Sequence, residues 1–279
     1  MNLKITIIQS ELHWENAAKN LVMFTKKIAS INEATDIIVL PEMFTTGFTM
    51  KSEEFAETMT GKTVTWMKAQ AKKSNSVIIG SLIIEEHEKF FNRLVWMQPD
   101  GDFYTYDKRH LFRMAKEHEN FSAGNKRLIV DYKGWKICPL VCYDLRFPVW
   151  SRNKPIPNPS RREGSPSPFE GVGGDSAYDC LIYIANWPEV RKAPWSKLLE
   201  ARAIENQCYV VGVNRVGIDG TNHVYSGNSV VINPKGEKIT TVPEHKECTP
   251  TVSLSLKELT DFRALFPVGL DGDEFEVIC

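Results

Sequence analysis

Cysteine and histidine are scarce in this chain, six of each in 279 residues. Cys138, Cys180 and Cys208 sit inside apolar runs, which argues for reduced buried thiols and against a disulfide framework. Cys138 and Cys142 have C-x3-C spacing, but no second Cys/His pair stands at zinc-like spacing, so no metal site is expected. An excess of charge of one sign is also lacking. The net charge is −1, which leaves no bulk field to attract nucleic acid or an anionic membrane. No segment has ~18 continuous apolar residues. The N-terminal MNLKITIIQSELHW carries one lysine and no small-residue cleavage site. Neither a membrane span nor a secretory leader is expected, and the cytoplasm is the expected compartment.

What is present is ordinary for a globular protein: 42% hydrophobic and 25% charged residues. The length suits one large α/β domain or two small ones. Leu3–Gln9 alternates and is rich in Ile and Thr, so it reads as a strand. From Asn16 the apolar residues Ala17, Leu21, Phe24, Ile28 and Ile31 recur at helical spacing. Ile37–Leu40 is a short strand buried on both faces and stopped by Pro41, so Glu42 emerges just past a strand end. Thr63–Lys73 reads as a helix and Ser76–Ile84 as a strand. Phe90–Met97 and Phe103–Tyr106 flank the turn Pro99-Asp100-Gly101 and lead into Lys108. Arg127–Tyr132 and Trp135–Val141 form a hairpin turned at Lys133-Gly134, ending at Cys142.

Residues 155–174 contain five Pro, four Gly and three Ser, too little apolar surface to pack. They read as a flexible insertion within a single domain spanning 1–279, because strand–helix alternation resumes beyond them. Cys180–Ala185 is a strand, Pro194–Asn206 a helix with Pro near its first turn, and Tyr209–Val213 a strand. Segments 223–233 and 237–242 are expected to be two strands about the turn Asn233–Gly236. Thr251–Leu256 is a last strand, and Ser255 and Glu258 suit a capping box. Sheets inside and helices outside are expected. Periodicity does not say whether there is one sheet or two.

Glu42, Lys108 and Cys142 each follow a strand, 66 and 34 residues apart. Taken singly, each has a bland reading: surface charge, or an inert small thiol. Together they supply a base for a thiol, a cation for an oxyanion, and a nucleophile. The segments LPEMFTTGF (40–48), YDKRHLF (106–112) and VCYDLRFP (141–148) resemble, in order, the signature regions of the nitrilase superfamily, the carbon–nitrogen hydrolases. ANWP (185–188) and ARAIENQCYVVGVNRVG (201–217) extend the resemblance, which is most similar to the ω-amidase branch.

The resemblance implies a four-layer α-β-β-α sandwich of two mixed sheets, a homodimer or higher homo-oligomer, and no cofactor. It implies Glu42 as general base and acid, Lys108 as stabiliser of the transition state and Cys142 as nucleophile. A second glutamate is implied, with Glu117 the better match and Glu119 the alternative. The implied reaction opens the ω-amide of a small 2-oxo acid through a thioester, with water completing the hydrolysis and the Tyr143 amide sharing the oxyanion. For the substrate carboxylate Arg146 is a candidate, with a structural ion pair to Asp144 or another carboxylate as the equal alternative. Phe48, Tyr143 and Trp187 are candidate pocket walls with core packing as the alternative, core being favoured for Phe48 and the pocket for Trp187. The competing readings are an N-carbamoyl-amine or aliphatic amidase, and a silent binding scaffold. A cysteine peptidase is disfavoured because His110, His118 and His223 lack a partner context. Cys138, on the same strand as Cys142, reads as core.

Overall fold

The computed structural model describes residues 1–153, 177–240 and 242–273. The insertion expected at 155–174 lies outside the described residues. The strands among them are β1 (Asn2–Ile7), β2 (Ile37–Val39), β3 (Val77–Glu86), β4 (Lys89–Met97), β5 (Phe103–Asp107), β6 (Val130–Tyr132), β7 (Trp135–Val141), β8 (Cys180–Ala185), β9 (Tyr209–Asn214), β10 (Val216–Ile218), β11 (Val224–Ser226), β12 (Val230–Ile232) and β13 (Thr251–Ser255). They form a six-stranded sheet ordered β13-β1-β2-β3-β4-β5, a five-stranded sheet ordered β12-β9-β8-β7-β6, and the ribbon β10-β11.

Side-chain alternation puts the two large sheets face to face. Ile5, Ile7, Ile37 and Val39 pack in one apolar cluster with Trp135, Ile137 and their neighbours on the second sheet. Ile38, Ile78, Val95 and Met97 point the other way and pack with Phe24, Ile28, Val64 and Met67 from the helices Ala17–Ala29 and Lys62–Ser74. On the far side the helix Lys192–Asn206 sets Trp195, Leu199 and Ala203 against the second sheet. Its approach is so close that a Cβ on Gly212 would meet a Leu199 methyl at 2.6 Å. The expected α-β-β-α sandwich is the architecture found, with two sheets rather than one.

Local signals act as expected at several ends. The Asn16 side chain accepts the Lys19 amide at 3.0 Å, and Ser255 accepts the Glu258 amide at 3.2 Å, so both helices start on a side-chain cap. One expected element is wrong. Segment 223–233 is not a single arm: β11 pairs with β10, whereas β12 pairs with β9 in the large sheet. Gly227 and Asn228 between them both have left-handed backbone, φ +81° and +58°, which turns the chain out of one ladder and into another. Among the described residues its expected partner 237–242 contributes only an isolated bridge, Lys238 to Ile232. β3 and β4 pair as a tight hairpin whose turn residues, His87 and Glu88, have φ +52° and +58°. Those residue types carry no turn signal, so the sequence shows two strands without showing that they pair.

Strand direction brings the ends of three strands together. β7, β8 and β9 are parallel, and Val141 pairs with Ile184 as Ala185 pairs with Asn214. Cys142, Asn186 and Asn214 therefore reach the same carboxyl edge, where ligands gather in layered α/β folds.

Candidate active site

β7 ends in an elbow. Val141 is extended, and Cys142 then adopts φ +46°, a left-handed conformation costing about 1 kcal/mol or more in a residue with a Cβ. It opens a 3-10 turn over Cys142–Arg146. Asp144, fully buried, holds the bend. One carboxylate oxygen accepts the Val141 amide at 3.1 Å and the Tyr106 hydroxyl at 2.7 Å. The other accepts the His110 amide at 3.0 Å and lies 2.8 Å from His110 Nδ1. The Trp150 indole donates to the Tyr106 oxygen at 2.9 Å, and Arg202 donates to the Leu145 carbonyl at 2.6 Å. The expected alternative of an Asp144–Arg146 ion pair is thus wrong. The buried carboxylate is filled by donors from Val141, from Tyr106 on β5 and from His110 in the loop after it, and the Arg146 guanidinium lies over Trp187 at 5.2 Å.

Glu42 emerges past Pro41 with zero exposure. A buried carboxylate needs donors, and it has them. Oε1 accepts Lys108 Nζ at 2.9 Å and Asn92 Nδ2 at 2.8 Å, and Oε2 accepts the Asn186 amide at 2.8 Å. Asn186 also donates its side-chain N–H to the Glu42 carbonyl, which fixes the residue at both ends. Lys108 extends the β5 register, its amide donating to the Asn92 carbonyl at 3.0 Å. Its ammonium lies 2.9 Å from both oxygens of Glu117 and 5.0 Å from the centre of the Phe48 ring. Glu117 is buried and also accepts the Phe112 amide at 2.6 Å. Glu119 is exposed, 3.7 Å from Lys116, and takes no part. Of the two candidate second glutamates, Glu117 is the one in the site.

Burial would push the Lys108 ammonium down, but the flanking Glu117 and Glu42 carboxylates outweigh it and hold it protonated, above its ordinary range. Burial raises the Glu117 carboxyl, with Lys108 acting against the rise and Glu42 adding to it. The Cys142 thiol is pushed well above its ordinary value, by burial first and then by the Glu42 carboxylate; Lys108 opposes. At rest it is a thiol beside a base. Its sulfur faces the Asn186 carbonyl at 4.0 Å. The carboxylate oxygens of Glu42 and Glu117 are directed at N–H donors, an arrangement for holding an ammonium and moving a proton.

The remaining candidates adjoin this cluster. Tyr143 is half-buried, its ring meeting Phe112 at 5.0 Å and Phe147 at 5.2 Å. Its amide opens the 3-10 turn, where the first N–H groups have no intrahelical acceptor. Trp187 is buried, with its amide donating to Asn214 at 2.8 Å. Phe48 is half-buried: it packs against the Met43, Ile83 and Phe121 cluster and lies beside the Lys108 ammonium. Three partners were missed. Asn92, Asp144 and Asn186 carry the site's hydrogen bonds. An Asn inside the apolar strand β4, and another ending β8, were the available signals, since a buried amide demands partners.

The model of the family described as carbon–nitrogen hydrolase matches residues 4–153 and 179–264. Omega-amidase YafV of Escherichia coli K12 is 44% identical over 275 residues, 99% of this chain and 98% of that protein. 2-Oxoglutaramate amidase of Bacillus subtilis is 28% identical over 271 residues, 96% of each. Among solved structures, XC1258 from Xanthomonas campestris, a CN-hydrolase superfamily protein with an arsenic adduct in its active site, superposes with a TM-score of 0.90. It is 40% identical and covers 99% of each chain. The match over most of the length, together with the buried Glu–Lys–Glu–Cys cluster at the sheet edge, assigns this chain to the carbon–nitrogen hydrolase family.

Proposed function

We propose that the protein hydrolyses the ω-amide of a small 2-oxo acid, of the 2-oxoglutaramate or 2-oxosuccinamate type, through a cysteine thioester. One observation carries the chemistry: the left-handed elbow turns a buried, protonated thiol toward a buried carboxylate that is itself bound to an ammonium. A carboxylate so placed is a general base for the thiol. In this reading Glu42 takes the Cys142 proton as sulfur attacks the amide carbon. Lys108, with the Tyr143 amide, receives the charge developing on the amide oxygen. Glu42 then hands its proton to the departing nitrogen, which leaves as ammonia. Water enters, gives a proton to Glu42 and its hydroxide to the thioester carbon, and the C–S bond breaks. The proton returns to Cys142, leaving the dicarboxylate. Glu117 positions Lys108 by binding it through both oxygens. Lys108 does not serve as the base, because two carboxylates hold its proton in place.

The substrate class is supported by the names of two relatives, omega-amidase and 2-oxoglutaramate amidase, and by the exposed guanidinium of Arg146 on Trp187. Arg146 is read as a carboxylate ligand, with Trp187 and Phe48 as walls. The chain is further read as a single domain that works as a homodimer in the cytoplasm, for which light scattering and fractionation are the checks. Among the described residues no helix is long and apolar enough to cross a membrane. The deciding experiment measures ammonia release from 2-oxoglutaramate, 2-oxosuccinamate, glutamine and an N-carbamoyl amino acid. The expected result is preference for the first two. Activity on the last alone would replace this reading with an N-carbamoyl-amine hydrolase.

A further inference from the structure

Arg191 closes a single 3-10 turn, Glu189–Arg191, just before the helix Lys192–Asn206. It is half-buried, and its guanidinium carbon lies 5.2 Å from the centre of the Phe112 ring. Arg146 makes the same contact with Trp187, at the same distance. A cation–π contact of this kind consumes none of the guanidinium's N–H donors. Among the described residues neither guanidinium is hydrogen-bonded or ion-paired to a protein acceptor. The carboxylate nearest to Arg191 in sequence, Glu189, is committed to His245 at 3.2 Å and Lys192 at 4.0 Å.

Both supporting rings are joined to the buried cluster. Phe112 donates its amide to Glu117 and meets Tyr143 edge-on. Trp187 follows Asn186, whose amide binds Glu42. The two walls are tied together, because the Trp187 indole donates to the Arg191 carbonyl at 2.7 Å. Two cations, each on a ring joined to the site, are thus linked through the Trp187–Arg191 hydrogen bond, while the Glu42 and Glu117 carboxylates are already bound to N–H groups.

A 2-oxo carboxylate presents three acceptor oxygens, more than one guanidinium edge can take. The geometry points to Arg191 as a second binding residue that shares the 2-oxo carboxylate end of the substrate with Arg146. This rests on the proposed hydrolysis of 2-oxo acid amides and adds the residue that selects for them.

The test compares kcat/KM for 2-oxoglutaramate, glutaramate (no 2-oxo group) and butyramide (no carboxylate) in wild type, Arg191→Gln and Arg191→Lys. Arg191→Gln should lower the 2-oxoglutaramate-to-butyramide ratio roughly 10- to 100-fold, mainly through KM, as expected for losing charge-assisted hydrogen bonds. The glutaramate-to-butyramide ratio should fall less. Arg191→Lys should recover part of the ratio, since it restores charge without the fork. If Arg191→Gln fails to fold, Arg191→Lys still has to show a lowered ratio. Unchanged ratios in a folded variant, or equal losses on all three amides, would overturn the role of Arg191 alone. A wild-type enzyme that does not prefer 2-oxoglutaramate to butyramide would overturn the substrate reading, and this inference with it.

Discussion

Cys138 and Cys142 lie four residues apart at the end of one strand, and both are buried. Burial raises both thiols, Cys138 to about 12 and Cys142 well above its ordinary value. The difference lies in what each one faces. Cys138 keeps the strand conformation and, beside the inward-facing Ile137, points to the opposite, helix-covered face of the second sheet, within the apolar core. Cys142 leaves the strand through a positive φ and faces Glu42, Lys108 and Asn186. Burial alone therefore makes an unreactive thiol, and a buried carboxylate beside it makes one that can be activated.

The sharpest way to break the comparison is to exchange the two roles by substitution. Cys142→Ala should lower amide hydrolysis by roughly 10⁵-fold or more, the scale of losing a nucleophile that acts in concert with its base. Cys138→Ala should keep most of the rate. Ammonia release that survives Cys142→Ala would remove the thioester mechanism. Next in size is the carboxylate that separates the two cysteines. Glu42→Gln should cost roughly 10³- to 10⁴-fold in kcat, as expected for a general base, with the protein still folded by circular dichroism. A residual rate within tenfold of wild type would show that the thiol does not need it.

The elbow itself can be loosened. Asp144→Asn replaces acceptors with an N–H₂ that must face the donors of His110, Tyr106 or Val141. A loss of about 1–3 kcal/mol in denaturant unfolding is expected, together with a fall in kcat, because the bend that aims Cys142 relaxes. Unchanged unfolding would mean that the bend holds without its carboxylate. The smallest effect concerns Cys138 and pH. Its folded value is above the unfolded 9.0, so the folded state keeps a proton that the unfolded chain releases. The stabilisation is complete below pH 9 and is lost as pH rises toward 12. Thermal melting should therefore fall more steeply above pH 9 in wild type than in Cys138→Ala. Parallel melting curves would say that Cys138 is not held neutral by the fold.

Much of the molecule is legible locally. Strands announce themselves by period two and helices by period 3.6, so the edges of β2, β5 and β7, and with them Glu42, Lys108 and Cys142, could be read as strand ends. The misreadings have a common cause. The turn at His87-Glu88 and the break at Gly227-Asn228 depend on backbone that tertiary packing imposes, and the first of these has no residue type to mark it. The alternative left open for Arg146, an ion pair with Asp144, assumes that a buried charge pairs with its sequence neighbour. Besides the Val141 amide, the partners of Asp144 come from β5 and the loop after it, Tyr106 and His110, 38 and 34 residues away.

The sequence by itself determined the elements, the strand ends and the residue types that stand there, because each depends on interactions spanning a few residues. Only the tertiary structure decided that one ammonium is shared by two buried carboxylates, that Glu117 rather than Glu119 is the second of them, and that Arg146 stacks on Trp187 instead of pairing with Asp144. A buried polar group must find donors wherever the fold brings them, and for Glu42 they come from Asn92, Lys108 and Asn186, up to 144 residues along the chain.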